Sequence, residues 1–246
     1  MIRQANFIFI LTLLISYGKI LAMKNKIFTV IFGVAVFFFI ITVSIALPIY
    51  CRFFYYLQIG PLNLVEESGY DYATIKFAYD QMLDYLTLPN REFGTGVFKF
   101  TPSGASHFAD CKALFNLNLI ALIISLTVIV FSLVLNGKKG YKLLKPCGHN
   151  ASFFSAVSVF SVFIIIGVLV AIDFDSAFTV FHHIFFPGKD NWLFDPRYDQ
   201  ILNVLPAEFF LNCGILIISS IILISLALIV ISCVQRKNRV KSNINC

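Results

Sequence analysis

The sequence predicts an all-α integral membrane protein, a bundle of four spanning helices with a small helical domain between spans one and two. Composition, the length of the apolar runs and the segregation of charge all point to it. Of 246 residues, 59% are hydrophobic and only 13% are charged, far from the balance of a soluble domain. Four runs, at about 27–50, 114–135, 151–172 and 209–234, reach the roughly 20 helical residues that cross a bilayer core. All 13 acidic residues fall in two long connections, 51–113 and 173–208.

The first run, Ile27–Tyr50, follows Lys24 and Lys26. Residues 1–22 are an uncertain apolar segment. They read as an extra helix, or as sequence upstream of a natural start at Met23-Lys24-Asn25-Lys26. The short link after the second run carries Lys138, Lys139, Lys142 and Lys145, and the basic tail 235–246 carries Arg236, Lys237, Arg239 and Lys241, neither with an acid. Cations of this kind stay on the cytoplasmic side. Both ends of a four-span core, 23–234, are therefore expected inside a cell membrane, with the connections 51–113 and 173–208 outside. These clusters account for the net charge of +6 and face anionic lipid, so no nucleic-acid partner is implied.

The first outer connection has its own pattern. Ile75, Tyr79, Met82 and Leu86 recur at helical spacing between Gly69 and Leu86, opposite Lys76, Asp80 and Asp84, which predicts an amphipathic surface helix. Pro89-Asn90 and Gly94-Thr95-Gly96 predict turns around a short hairpin ending at Val97–Phe100. Ser103 or Ser106 is then the expected cap of the helix that enters span two. The six cysteines include no CxxC pair and read as small apolar residues.

Polar residues with chemical potential are few. His107 and Asp110 share a helix face at a spacing of three, which lets a carboxylate orient an imidazole. His182 and His183 lie just beyond span three, among aromatic residues. In the same connection, Trp192 and Phe194 suit the headgroup level, and Asp195, Arg197 and Asp199 suit turns and ion pairs. The spacing admits structural roles for all of them. What favours chemistry is that two separate spans deliver histidines to one membrane face.

Phe181-His182-His183-Ile184-Phe185-Phe186, then Asn191-Trp192-Leu193-Phe194-Asp195-Pro196, Asp199, and Pro206 through Phe209-Phe210, resemble the signature of a family of four-span proteins from low-GC Gram-positive bacteria. That family includes the lipoprotein intramolecular transacylase. His107-Phe108-Ala109-Asp110-Cys111-Lys112 resembles its His-Met-x-Asp-Val-Lys block, with Phe108 and Cys111 as departures. Tyr79-Asp80-Gln81-Met82-Leu83-Asp84-Tyr85-Leu86 is a weaker match, with Ala78 where asparagine is usual. Together the matches run from about Met23 to the end of span four.

The resemblance implies transfer of the sn-2 acyl chain of a diacylglyceryl-cysteine onto the α-amine of that same cysteine. The substrate is a diacylated lipoprotein in membrane lipid, and the product is a lyso-form lipoprotein. Amine and ester belong to one molecule and close through a ring of about eight atoms. No protein nucleophile, cofactor or metal is then required. Proton transfer is required, and imidazoles suit it at neutral pH. His107 and His182 are the expected catalytic pair, in either order. Asp110 supports His107, and Lys112, Arg197 and Asp195 are candidate supporting residues around a cleft roofed by 51–113. Two other readings stay open on the residues alone: a non-catalytic membrane subunit or binding module, and a metal-dependent membrane hydrolase using His107, His182, His183 and Asp110. Nothing in the sequence speaks to oligomeric state.

Overall fold

The computed structural model describes residues 2–138 and 140–244, with side-chain surroundings over 18–138 and 140–242. Among the described residues every regular element is helical: α1 (Ile2–Tyr50), α2 (Arg52–Tyr56), α3 (Leu64–Ser68), α4 (Tyr72–Thr87), α5 (Pro102–Leu135), α6 (Ala151–Ile172), α7 (Phe174–Phe185) and α8 (Ala207–Ile244), with short 3-10 turns at Pro146–Gly148 and Gln200–Val204. Four helices, α1, α5, α6 and α8, are long and apolar enough to cross a membrane, and many of their larger apolar side chains are exposed. Those surfaces suit lipid. The protein is an all-α membrane protein.

Most ends of the apolar runs match helix ends, as at Tyr50 and Ala151–Ile172. Others do not. α1 runs without a break from the N-terminal segment into the first span, α5 starts at Pro102, well ahead of its apolar run, and α8 continues through the basic tail.

The chain forms two compact units. The first is drawn from Met1–Ile40, Ile123–Phe160 and Ile224–Cys246 and contains no acidic residue. Its polar side chains fasten the 136–150 link. Asn25 Oδ1 accepts from the Lys142 amide at 3.0 Å and Thr29 Oγ1 accepts from the Leu144 amide at 2.9 Å, while Ser155 Oγ on α6 donates to the Gly33 carbonyl of α1 at 2.6 Å. Link amides in an apolar setting need such partners. His149 stacks on Phe153 and accepts from Arg236 at 3.0 Å.

The second unit, Ile41–Leu122 with Ser161–Leu223, holds the small helical domain. α4 forms where the period predicts, capped by Asp71, which accepts from the Thr74 amide at 2.7 Å. Its buried stripe is Ile75, Ala78, Tyr79, Met82, Leu83 and Leu86. Against it lie Tyr55, Ile59, Leu64, Ile201, Val204 and Phe209. Tyr55 stacks on Tyr79 with centroids 3.8 Å apart and donates its hydroxyl to the Val204 carbonyl at 2.7 Å. The charged face of α4 is also used, because Arg52 pairs with both Asp80 and Asp84.

Two expectations from the sequence need correction. The 89–100 segment forms no hairpin strands. It turns on itself, with Thr95 Oγ1 donating to the Phe98 carbonyl at 2.7 Å. Gly96, at φ +61°, lies so close to Ala78 that a Cβ there would stand 3.1 Å from the alanine methyl. The cap of α5 is neither Ser103 nor Ser106. Thr101 takes that place, its Oγ1 accepting from the Gly104 amide at 2.9 Å with Pro102 in the first helical position.

The start of α5 is tied to the second connection. Asp199, buried, accepts from the Thr101 amide at 2.7 Å and from the Thr101 hydroxyl at 3.0 Å. Lys99 and Gln200 exchange two more bonds, at 2.9 and 3.0 Å. Gly104 is required beside them, since a Cβ there would collide with the Asp199 carboxylate. Replacing Asp199 by alanine strands the Thr101 amide, at a cost of about 1–3 kcal/mol. Asp199→Ala is therefore expected to lower Tm in detergent by roughly 5 °C, while Arg197→Ala, at an exposed ion pair, leaves it nearly unchanged.

Candidate active site

Within the second unit the two connections bring His107 and His182 together. α5 carries His107 on its second turn, and α7 carries His182 near its C-terminal end. Their rings lie 5.7 Å apart, centroid to centroid, inclined by 30°. Both side chains are buried, at 5% and 6% exposure. Histidines this buried, side by side and without a carboxylate bound to either ring, are placed for proton exchange with a third group.

α7 exists because Asp173 ends α6 and caps the next helix. Its carboxylate accepts from the Ser176 amide at 3.0 Å and the Ser176 hydroxyl at 2.6 Å. Phe174, Phe178 and His182 then follow at intervals of four and touch in sequence, with centroid separations of 5.6 and 4.2 Å. Trp192 stacks on His182 at 4.7 Å, and its indole is held by a bond to the Lys189 carbonyl at 2.9 Å.

His182 Nδ1 stands 2.8 Å from the Phe178 carbonyl oxygen. A carbonyl only accepts, so Nδ1 carries the proton, and in the neutral ring Nε2 holds the free lone pair. Burial holds this imidazole below its ordinary value of 6.5, outweighing the opposing bond to Phe178 and reinforced by nearby His183.

His107 lies between aromatic edges, with Phe186 at 4.8 Å and Phe194 at 5.3 Å. Its Nε2 is 3.4 Å from Cys111 Sγ, one helical turn on. Asp110 makes no hydrogen bond to the ring. It accepts from Lys189 at 2.5 Å and from Asn191 at 2.9 Å, tying α5 to the loop that follows α7.

The remaining expected residues are elsewhere. Lys112 lies over the Tyr85 ring at 4.2 Å and reaches the Leu88 carbonyl at 3.4 Å. Asp195 and Arg197 pair with each other at 2.6 Å on the surface. His183 meets the edge of Trp192. Among the described residues no three His, Cys, Asp or Glu side chains converge as a metal-binding group. Lys189 and Asn191 were missed from the sequence. Asn191 opens one of the motif matches but carried no role there, Lys189 was marked only by its nearness to His182, and their partner Asp110 is about 80 positions away.

The lipoprotein intramolecular transacylase Lit family model matches residues 30–210. The chain belongs to this family. The Lit from Bacillus cereus, solved in meso, superposes with a TM-score of 0.78 at 21% identity, covering 89% of this chain and 98% of that one. The same protein with a histidine replaced by arginine gives 0.73 at 20% identity, covering 92% and 98%. With alanine in place of a histidine it gives 0.71 at 21% identity, covering 89% and 96%. At this identity the likeness is one of fold. No curated protein matches this sequence.

The depressed His182 pKa makes a stability prediction for this Lit-family chain. As pH falls through 6.5, histidine in the unfolded chain gains its proton while buried His182 does not. The unfolded state then binds more protons, and stability drops until pH passes the folded value. Below pH 6.5, Tm in detergent should therefore fall more steeply for the wild type than for His182→Gln. Parallel curves would show that the ring is not held neutral.

Proposed function

We propose that this chain is a lipoprotein intramolecular transacylase that moves the sn-2 acyl chain of a diacylglyceryl-cysteine to the α-amine of the same residue, at the outer face of the cell membrane. Membership of the Lit family supports the reaction type. The observation that carries the site assignment is the pairing of His107 with His182 at 5.7 Å.

The chemistry follows from what the substrate brings and lacks. The α-amine attacks the ester carbonyl through a ring of about eight atoms, so nucleophile and electrophile need only be held in one folded conformer. Attack requires the free amine, whose ordinary pKa is about 8. As the C–N bond forms, the nitrogen acquires excess positive charge and must shed a proton. As the C–O bond breaks, the glyceryl oxygen must gain one.

One proton thus travels from nitrogen to oxygen, and the protein returns to its starting state. His182, with Nε2 unprotonated, is suited to accept it. His107, one ring away, is suited to pass it on, or to play the first part itself. The aromatic residues around both rings exclude water that would otherwise hydrolyse the ester. Asp110 acts from the side, through the groups it binds. Lys112 and Arg197 are held by other partners, and the proton transfer drawn here does not call on them.

The outward placement rests on the acid-free basic clusters on the 136–150 link and the C-terminal tail. Both histidines belong to the opposite connections.

The test is mass spectrometry of the N-terminal lipopeptide of a lipoprotein, from cells lacking this activity and supplied with variants of the chain. Wild type should give the lyso form. His107→Ala and His182→Ala should each lower it by at least roughly 100-fold with the protein still in the membrane. The double variant should be little worse than either, because groups acting as a unit are non-additive. His183→Ala should be milder. A fully active His182→Ala would contradict the assignment and favour a binding module.

A further inference from the structure

His107 lacks the fixed tautomer that His182 draws from Phe178. Its Nδ1 is buried without a hydrogen-bond partner among the described residues. A second buried atom nearby has the same defect, the Oδ1 of Asn191. Two facts bring the two side chains near each other: Asn191 Nδ2 donates to Asp110 at 2.9 Å and reaches Ser106 Oγ at 3.4 Å. Ser106 and Asp110 flank His107 on its own helix.

The orientation of the amide is dictated by its partner. A carboxylate accepts and never donates, so the Asn191 nitrogen must face Asp110. The amide oxygen is then left as an acceptor with nothing to accept. Of the two forms of neutral His107, only the one protonated at Nδ1 supplies the missing donor. That form leaves Nε2 with its lone pair, matching His182. Two buried groups that are each costly when unpaired satisfy one another in a single bond.

We propose that Asn191 is the positioning residue of His107: its Oδ1 accepts from Nδ1–H, and Asp110 and Lys189 hold the amide in that orientation. The inference deepens the acyl-transfer reading and rests on it. It replaces direct support of His107 by Asp110 with a chain running Lys189, Asp110, Asn191, His107. Catalytic hydrogen bonds are commonly loose before substrate binds, which fits two orphaned buried atoms whose side chains share the neighbours Ser106 and Asp110.

The test separates tautomer from turnover. Nitrogen-15 NMR of histidine-labelled full-length protein in liposomes reads which ring nitrogen of His107 carries the proton, with His107→Ala identifying the signal among four histidines. Wild type should show Nδ1–H. Asn191→Leu, similar in size, should lose that preference and cut lyso-lipoprotein formation by roughly tenfold or more in kcat, with KM little changed.

Asn191→Asp alone should also be impaired, since it sets two carboxylates face to face. Combining it with Asp110→Asn exchanges the two groups and should recover most of the rate and the Nδ1–H form. A mere packing role predicts no such recovery. Asn191→Leu with an unchanged His107 tautomer and rate would overturn the proposal. If the wild type itself makes no lyso product, the functional reading fails while the NMR arm still decides the hydrogen bond.

Discussion

The structure around the histidines depends on one buried carboxylate. Asp199 receives the amide and hydroxyl of Thr101, the residue that caps α5. That places the first turns of α5 against the second connection. Without it His107 would sit on a helix end free to fray, since the first amides of any helix lack internal partners. The neighbouring exchange between Lys99 and Gln200 and the absent side chain at Gly104 serve the same junction. A few polar contacts within a largely apolar unit thus set the spacing of the two imidazole rings.

The second constraint is aromatic. Phe178, Phe186, Phe194 and Trp192 surround the two imidazoles with ring contacts between 4.2 and 5.6 Å. Such walls fix the ring planes and exclude water. They also keep both imidazoles in a setting that disfavours charge. For a reaction that shuttles one proton between two ends of the same substrate, neutral resting groups are the useful ones. A permanently charged ring could neither accept nor relay it.

Much of this was legible beforehand, and the reasons are specific. Apolar length revealed the spans because lipid requires about 20 residues of helix. The α4 face was visible from Ile75, Tyr79, Met82 and Leu86 because one side of that helix packs and the other pairs with Arg52. The pairing of His107 with His182 followed from charge and topology, and the family motifs sharpened it. α7 stayed hidden because its stripe of Phe174, Phe178, Phe181 and Phe185 follows directly on the apolar run of span three. The Thr101 cap was masked by competing serines. The partners of Asp110 were not legible, because spacing along a helix shows which side chains share a face, while Lys189 and Asn191 arrive from a distant loop. Long-range polar pairing leaves no local trace.

The central claim is that substrate supplies the nucleophile and the protein supplies only geometry and proton transfer. A crossover experiment tests it most directly. Purified protein would be given two lipoproteins together, one with a deuterated sn-2 chain and the other with a nitrogen-15-labelled peptide, and the lyso products weighed by mass spectrometry. The account predicts that each deuterated chain stays with its own unlabelled peptide, and that none becomes attached to the protein. Products combining a deuterated chain with a nitrogen-15 peptide, or a deuterated acyl group bound to the enzyme, would contradict it.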